Sequence, residues 1–188
     1  MASKVNAGNL KKGNFVEKDG RIYLVTDTDF NYRGRGSAIV KAKFKDVEEG
    51  GYKSFTFKSD DVLNLIDVEV RKMQFLYREK EALIFMDSRS FEQFEYPVSS
   101  AGELVNFLKE GEEYYVYFWE GKILSIKPPQ SVKLQVVETE EAVKGDRVQG
   151  AKKPAKVETG ITVMVPLFIK KGDLIVVNPE TGEYIERA

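Results

Sequence analysis

The chain has 188 residues, 42% hydrophobic and 31% charged, with a net charge of −1; this is a globular composition, neither disordered nor uniformly basic. It has no cysteine, which excludes disulfides and thiolate metal sites, and no histidine, which removes the commonest general base and transition-metal ligand. No apolar run is long enough to span a bilayer, and Met1-Ala2-Ser3-Lys4 lacks the apolar core of a signal peptide, so a cytoplasmic protein is expected.

Glycine and asparagine punctuate short apolar runs along the chain. Arg21 to Val25 reads as a strand after an Asp19-Gly20 turn. Ala38 to Lys45 alternates: Val40, Ala42 and Phe44 share one face, and Lys41, Lys43 and Lys45 share the other. That pattern predicts a half-buried strand with a basic outer face. Ser54 to Lys58 reads as its partner across Gly50-Gly51.

A second block starts after Asp60-Asp61, with a long strand over Val68 to Tyr77 and its hairpin mate over Ala82 to Met86. Ser100 and Glu103 have capping-box spacing, Leu104, Val105 and Leu108 form an apolar stripe, and Gly111 follows, so one helix is expected there. Tyr114 to Trp119 and Lys122 to Ile126 flank Glu120-Gly121 as a tight hairpin, and Pro128-Pro129 ends that strand. In the third block, Val132 to Val137 reads as a strand and Glu138 to Lys153 as a polar loop. Lys156 to Phe168 and Leu174 to Val177 are further strands, with a turn at Asn178 to Gly182. Short strands at this spacing predict a mostly β chain of three small barrels, SH3-like or oligonucleotide-binding in kind, over residues 1–67, 68–131 and 132–188.

The charge is uneven. Arg33, Arg35, Lys41, Lys43 and Lys45 fall in one stretch without an acid, whereas Val68 to Ser131 holds 8 basic and 11 acidic residues. Within the basic stretch, Arg33-Gly34-Arg35-Gly36-Ser37 sits between two expected strands, which would project Arg35 at a hairpin tip. An arginine there offers a planar fork of donors to phosphate or a base edge. Taken alone, Gly-Arg-Gly reads more readily as a solvated turn; the adjoining lysine face weighs toward RNA binding. The carboxylate pairs Asp60-Asp61, Glu112-Glu113 and Glu140-Glu141 are adjacent in sequence, as in solvated turns rather than across a catalytic cleft. Phe75, Tyr77, Tyr115, Tyr117 and Trp119 read mostly as core. No catalytic site, metal or cofactor is expected.

The run from Lys144 to Arg187 resembles the C-terminal domain of bacterial elongation factor P, in Lys153-Pro154-Ala155, Thr159-Gly160, Val165-Pro166-Leu167-Phe168-Ile169, Gly172 and Gly182-Glu183-Tyr184. Phe85-Met86-Asp87, Phe91-Glu92-Gln93, Gly121-Lys122, Pro128-Pro129 and the glycine-flanked basic tip extend the resemblance over nearly the whole chain. It implies an SH3-like domain followed by two oligonucleotide-binding barrels in a tRNA-like outline. It also implies a monomer whose partners are the 70S ribosome, its ribosomal RNA and the peptidyl-tRNA. Such factors relieve stalling at proline runs by holding the tRNA end in a reactive geometry, which accelerates a reaction without acid or base.

Carried over by position, Arg35 falls on the family's tip residue. Many members have a modified lysine there. Others have a rhamnosylated arginine, typically followed by asparagine, where this chain has Gly36; Ser37-Ala38 agrees with them. Rhamnosylation by a glycosyltransferase and an unmodified arginine both stand as options. The family's Gly-Asp-Thr, near the exit-site codon, is here Gly145-Asp146-Arg147, and Tyr184 and Arg187 lie in the matched C-terminus as further RNA-binding candidates. The rival readings are the elongation-factor-P-like paralogue, a structural RNA-binding protein of the ribosome and, far behind, an enzyme.

Overall fold

The structure, a computed structural model, describes residues 2–31, 38–141 and 150–188. It contains three antiparallel sheets, in chain order. The first is built from β1 (Ala2–Asn6), β2 (Phe15–Lys18), β3 (Arg21–Asn31), β4 (Ile39–Asp46), β5 (Tyr52–Lys58) and β6 (Val62–Ile66), in the order β1-β6-β2-β3-β4-β5. The second contains β7 (Glu69–Arg78), β8 (Ala82–Asp87), β9 (Gln93–Pro97), β10 (Glu113–Trp119) and β11 (Lys122–Ile126), in the order β11-β10-β7-β8-β9. The third contains β12 (Val132–Thr139), β13 (Lys152–Val157), β14 (Thr162–Pro166), β15 (Leu174–Val177) and β16 (Tyr184–Arg187), in the order β14-β13-β12-β15-β16. The second and third sheets share one topology, with the first strand central. In each, the outer strands approach one another, β9 to β11 and β14 to β16, which curls the sheet toward a barrel.

The hairpins follow their turn chemistry. Asp19-Gly20 (φ 53 and 74) and Glu120-Gly121 (φ 46 and 79) put two successive residues at positive φ, the geometry that matches strand twist in a two-residue loop. In β4 the expected alternation holds: Val40, Ala42 and Phe44 are 0%, 2% and 0% exposed. Tyr23, Phe55 and Phe57 surround Phe44, with ring centroids 5.7, 5.1 and 5.9 Å away.

Three expectations are corrected. The helical segment is a four-residue turn, α1 (Val98–Ala101), followed by a 3₁₀ helix over Gly102–Phe107. The capping box does not form. Ser100 lies inside α1, and its hydroxyl donates to the Glu48 carbonyl of the first sheet at 2.7 Å. Gly102, at φ 56 and ψ −140, leaves helical geometry. Leu104 and Val105 still pack on the second core, but Phe107 is directed into the third. The strand expected over Lys156 to Phe168 is broken: β13 ends at Val157, a turn with Gly160 at φ 91 intervenes, and β14 stops at Pro166, which leaves Phe168 in the following turn. The polar loop of the third block is shorter than expected, because β13 already begins at Lys152. Its Lys153 is buried, with the ammonium donating to the Glu140 carbonyl at 2.5 Å.

Each sheet has its own apolar core, and a fourth cluster joins the first two sheets. There Phe15, Val47, Ile66 and Leu124 are buried against Ile22, Leu24, Val68, Tyr117 and Trp119. Phe15 meets Tyr117 edge-on at 4.8 Å. The second and third sheets meet through Phe107 and through an ion pair from Lys109 to Glu158 at 3.2 Å. Of the five aromatics expected mostly in cores, Phe75 is buried and Tyr117 and Trp119 pack at the junction. Tyr77 and Tyr115 are instead exposed: a register shift between Phe75 and Tyr77 turns Tyr77 away from the face of Met73 and Phe75, and Tyr115 alternates with the buried Tyr114 and Val116.

Candidate nucleic-acid interface

The lysine face is carried on β4 between β3 and β5. Residues directly opposite in an antiparallel pair point to the same side. Lys41 lies between Asp29 and Thr56, Lys43 between Asp27 and Ser54, and Lys45 between Leu24 and Tyr52. The face is therefore not uniformly basic: two aspartates stand across from two of its lysines. A bulge causes this. The register shifts between Val25 and Asp27, and Thr26 is bonded through its hydroxyl to the Lys43 carbonyl at 2.9 Å. Before the bulge Tyr23 and Val25 are buried; after it, Asp27 and Asp29 turn out to the lysine side.

The three lysines also differ. Lys41 and Lys43 are exposed, with the Lys43 ammonium 4.8 Å from the Tyr52 ring centroid. Lys45, expected outside with them, is half-buried, and burial pulls its ammonium below the usual lysine range. The reason is its neighbour: opposite Lys45 stands Leu24, part of the apolar cluster that joins the first two sheets. The next residue, Asp46, is buried. It accepts from Arg21 at 3.0 Å and from the backbone N–H of Glu48 and Glu49 at 2.9 and 3.0 Å. Burial pushes its carboxyl up, but those backbone donors and Arg21 outweigh it and hold it below the usual range.

Asn31 and Ile39 form the last described rung between β3 and β4. The tip residues Arg33, Gly34, Arg35, Gly36 and Ser37, which connect that rung, lie outside the described residues, as do Gly145, Asp146 and Arg147. The strand ends that flank the latter segment are described. Thr139 pairs with Ala155, and Lys152 pairs with Pro166. Arg187 belongs to this same end of the third sheet, where it pairs with Ile175 and its guanidinium is 4.0 Å from Asp173. Tyr184 does not join it. It pairs with Val177 at the opposite end and packs half-buried on the third core.

Among the described residues no group of three or more His, Cys, Asp or Glu could hold a metal ion. No described helix is long and apolar enough to cross a membrane.

Three family profiles match in succession: the elongation factor P KOW-like domain over residues 6–63, the elongation factor P OB domain over 68–126, and the elongation factor P C-terminal domain over 132–187. Elongation factor P of Thermosipho africanus is 40% identical over 184 residues, covering 98% of this chain and 100% of that protein. Elongation factor P of Coprothermobacter proteolyticus is 40% identical over 97% of this chain and 98% of its own length. Among solved structures, a eukaryotic translation initiation factor 5A from Methanococcus jannaschii matches with a TM-score of 0.53 and 24% identity, over 67% of this chain and 92% of that one; this likeness concerns the fold alone. With mostly β architecture, a KOW-like unit, OB-type barrels and near full-length relatives, the chain belongs to the elongation factor P family of translation elongation factors.

Proposed function

We propose that this chain binds the 70S ribosome beside the peptidyl-tRNA and stimulates peptide-bond formation at polyproline stalls by positioning the tRNA. It acts in the cytoplasm as a monomer, in three units over 1–67, 68–131 and 132–188. Arg35 is the effector, Arg33 and the exposed lysines hold RNA backbone, and Gly34, Gly36 and Ser37 shape the tip. At the far end, Gly145, Asp146, Arg147 and Arg187 contact RNA, with Tyr184 as a further contact. The single observation that carries the reading is the family match along nearly the whole length. A reaction run by the ribosome's own RNA asks the factor only for positioning.

The test separates rate from affinity. Arg35→Ala leaves 70S binding within a few-fold and abolishes synthesis through a triple-proline run in a purified translation system; each tenfold loss of rate corresponds to about 1.4 kcal/mol. Arg35→Lys keeps the charge without the planar fork and rescues partly. Full activity of Arg35→Ala removes the effector role, and equal losses of binding and rate make Arg35 an anchor. Relief of polyproline stalling also distinguishes this reading from a structural RNA-binding protein of the ribosome, and the breadth of stalling motifs relieved distinguishes it from the narrower paralogue. If unmodified recombinant protein is fully active, arginine suffices. Weak activity restored by native material assigns a rhamnosyl group and a glycosyltransferase partner.

A further inference from the structure

The turn after β14 exposes an aromatic ring for which the fold has no use. Phe168 is 56% exposed, whereas the next residue, Ile169, is fully buried in the third core. The turn is held by its own hydrogen bonds. The N–H of Ile169 donates to the Pro166 carbonyl at 3.1 Å, that of Lys170 to the Asp173 carboxylate at 2.9 Å, and that of Gly172 to the Val136 carbonyl at 2.8 Å. The ring is thus presented on a backbone already ordered before any ligand arrives.

Its surroundings are cationic. The Arg187 guanidinium is 5.7 Å from the Phe168 ring centroid. Lys170 and Lys171, two and three residues after Phe168, are exposed and enter no ion pair among the described residues. The one carboxylate in this turn, Asp173, is engaged by the Lys170 N–H and faces Arg187. An exposed ring with Arg187 beside it and two solvated lysines in the same turn fits a polyanion with an unpaired base: every base has a face on which an aromatic side chain stacks, and lysines grip the flanking phosphates. The location supports the same occupant. Pro166 pairs with Lys152, so the turn lies at the end of the sheet where β13 emerges from the segment bearing Gly145, Asp146 and Arg147.

We propose that Phe168, Arg187, Lys170 and Lys171 form a stacking platform for an unpaired RNA base, with the two lysines on its neighbouring phosphates. This rests on the ribosome-binding reading above and adds Phe168, Lys170 and Lys171 to it. The test is 70S binding by the full chain across a salt series, with thermal melting as the control for folding. Phe168→Leu keeps apolar bulk but loses the stacking face, and weakens binding on the order of tenfold. Phe168→Tyr binds like the wild type. Lys170→Gln with Lys171→Gln lowers the salt slope by roughly 0.7 for each phosphate no longer neutralised. A benzophenone side chain installed at position 168 crosslinks to RNA. Wild-type affinity of Phe168→Leu, or crosslinking to ribosomal protein alone, overturns the platform. If the Phe168 variants are silent while Arg35→Ala still loses activity, only the platform falls; if the wild-type chain does not bind ribosomes, both readings fall.

Discussion

Phe91 carries backbone strain in the open. It sits at φ 60 on the β8–β9 turn and is 70% exposed. The turn is otherwise well satisfied: Asp87 accepts from the N–H of Arg89 and Ser90 at 2.8 and 3.1 Å, and those bonds hold its carboxyl below the usual range. Left-handed geometry costs a residue with a Cβ about 1–2 kcal/mol, and glycine avoids that cost at some expense in unfolded-state entropy. Phe91→Gly should therefore raise stability by up to about 1 kcal/mol, read as a higher urea midpoint at unchanged slope. A lower midpoint would mean that the ring contributes packing. Single residues also show where periodicity misleads. Lys45 and Lys43 occupy equivalent positions in the alternation, yet only Lys43 is solvated, because Leu24 and the apolar junction stand beside Lys45.

At the scale of the element, β4 is the clearest case of sequence dictating structure. One face is apolar and the other charged, so a shift of one residue would bury Lys41 and Lys43 and expose Phe44. The sequence of β3 was less legible. Strict alternation puts Asp27 and Asp29 on the side of Tyr23 and Val25, and the bulge at Thr26 reverses that. The reversal makes a prediction in two directions. Neutralising Lys41 and Lys43 to Gln weakens ribosome binding and lowers its salt slope by roughly 0.7 to 0.9 for each phosphate that the lysines had neutralised. Neutralising Asp27 and Asp29 to Asn tightens binding, because it removes the opposing charge from the same face. A salt series on both pairs decides it, and no change in either would take this face out of the interface.

For the whole molecule, the two junctions differ in kind. The first and second sheets share a buried apolar cluster and the bond from Ser100 to Glu48. The second and third sheets meet at Phe107, whose ring leaves its own sheet's core for the neighbouring one. Phe107→Ala should cost about 3–5 kcal/mol as a buried aromatic deletion. Because the ring is anchored in the second unit but buried in the third core, the loss should also uncouple the two units, and calorimetry should show the third unit melting ahead of the rest. An unchanged single transition would mean that Pro128-Pro129 and the Lys109–Glu158 pair suffice to join them.

Sequence by itself determined the longer strands from β3 to β5, β7, β8 and β10 to β12, the two-residue hairpins at Asp19-Gly20 and Glu120-Gly121, and the mostly β class, because period-two patterning and turn chemistry are local properties of the chain; the short strands β1, β2, β6, β9 and β16 were not legible. The same residues carried the resemblance to the elongation factor P family. Only the tertiary structure decided that Ser100 bonds Glu48 instead of capping a helix, that Lys45 is half-buried, that Asp27 and Asp29 face Lys43 and Lys41, and that Phe168 stands beside Arg187. Each of these depends on a partner distant in sequence or on one extra residue in a strand. Pairing across such separations is set by packing, and the local pattern that builds a strand does not encode it.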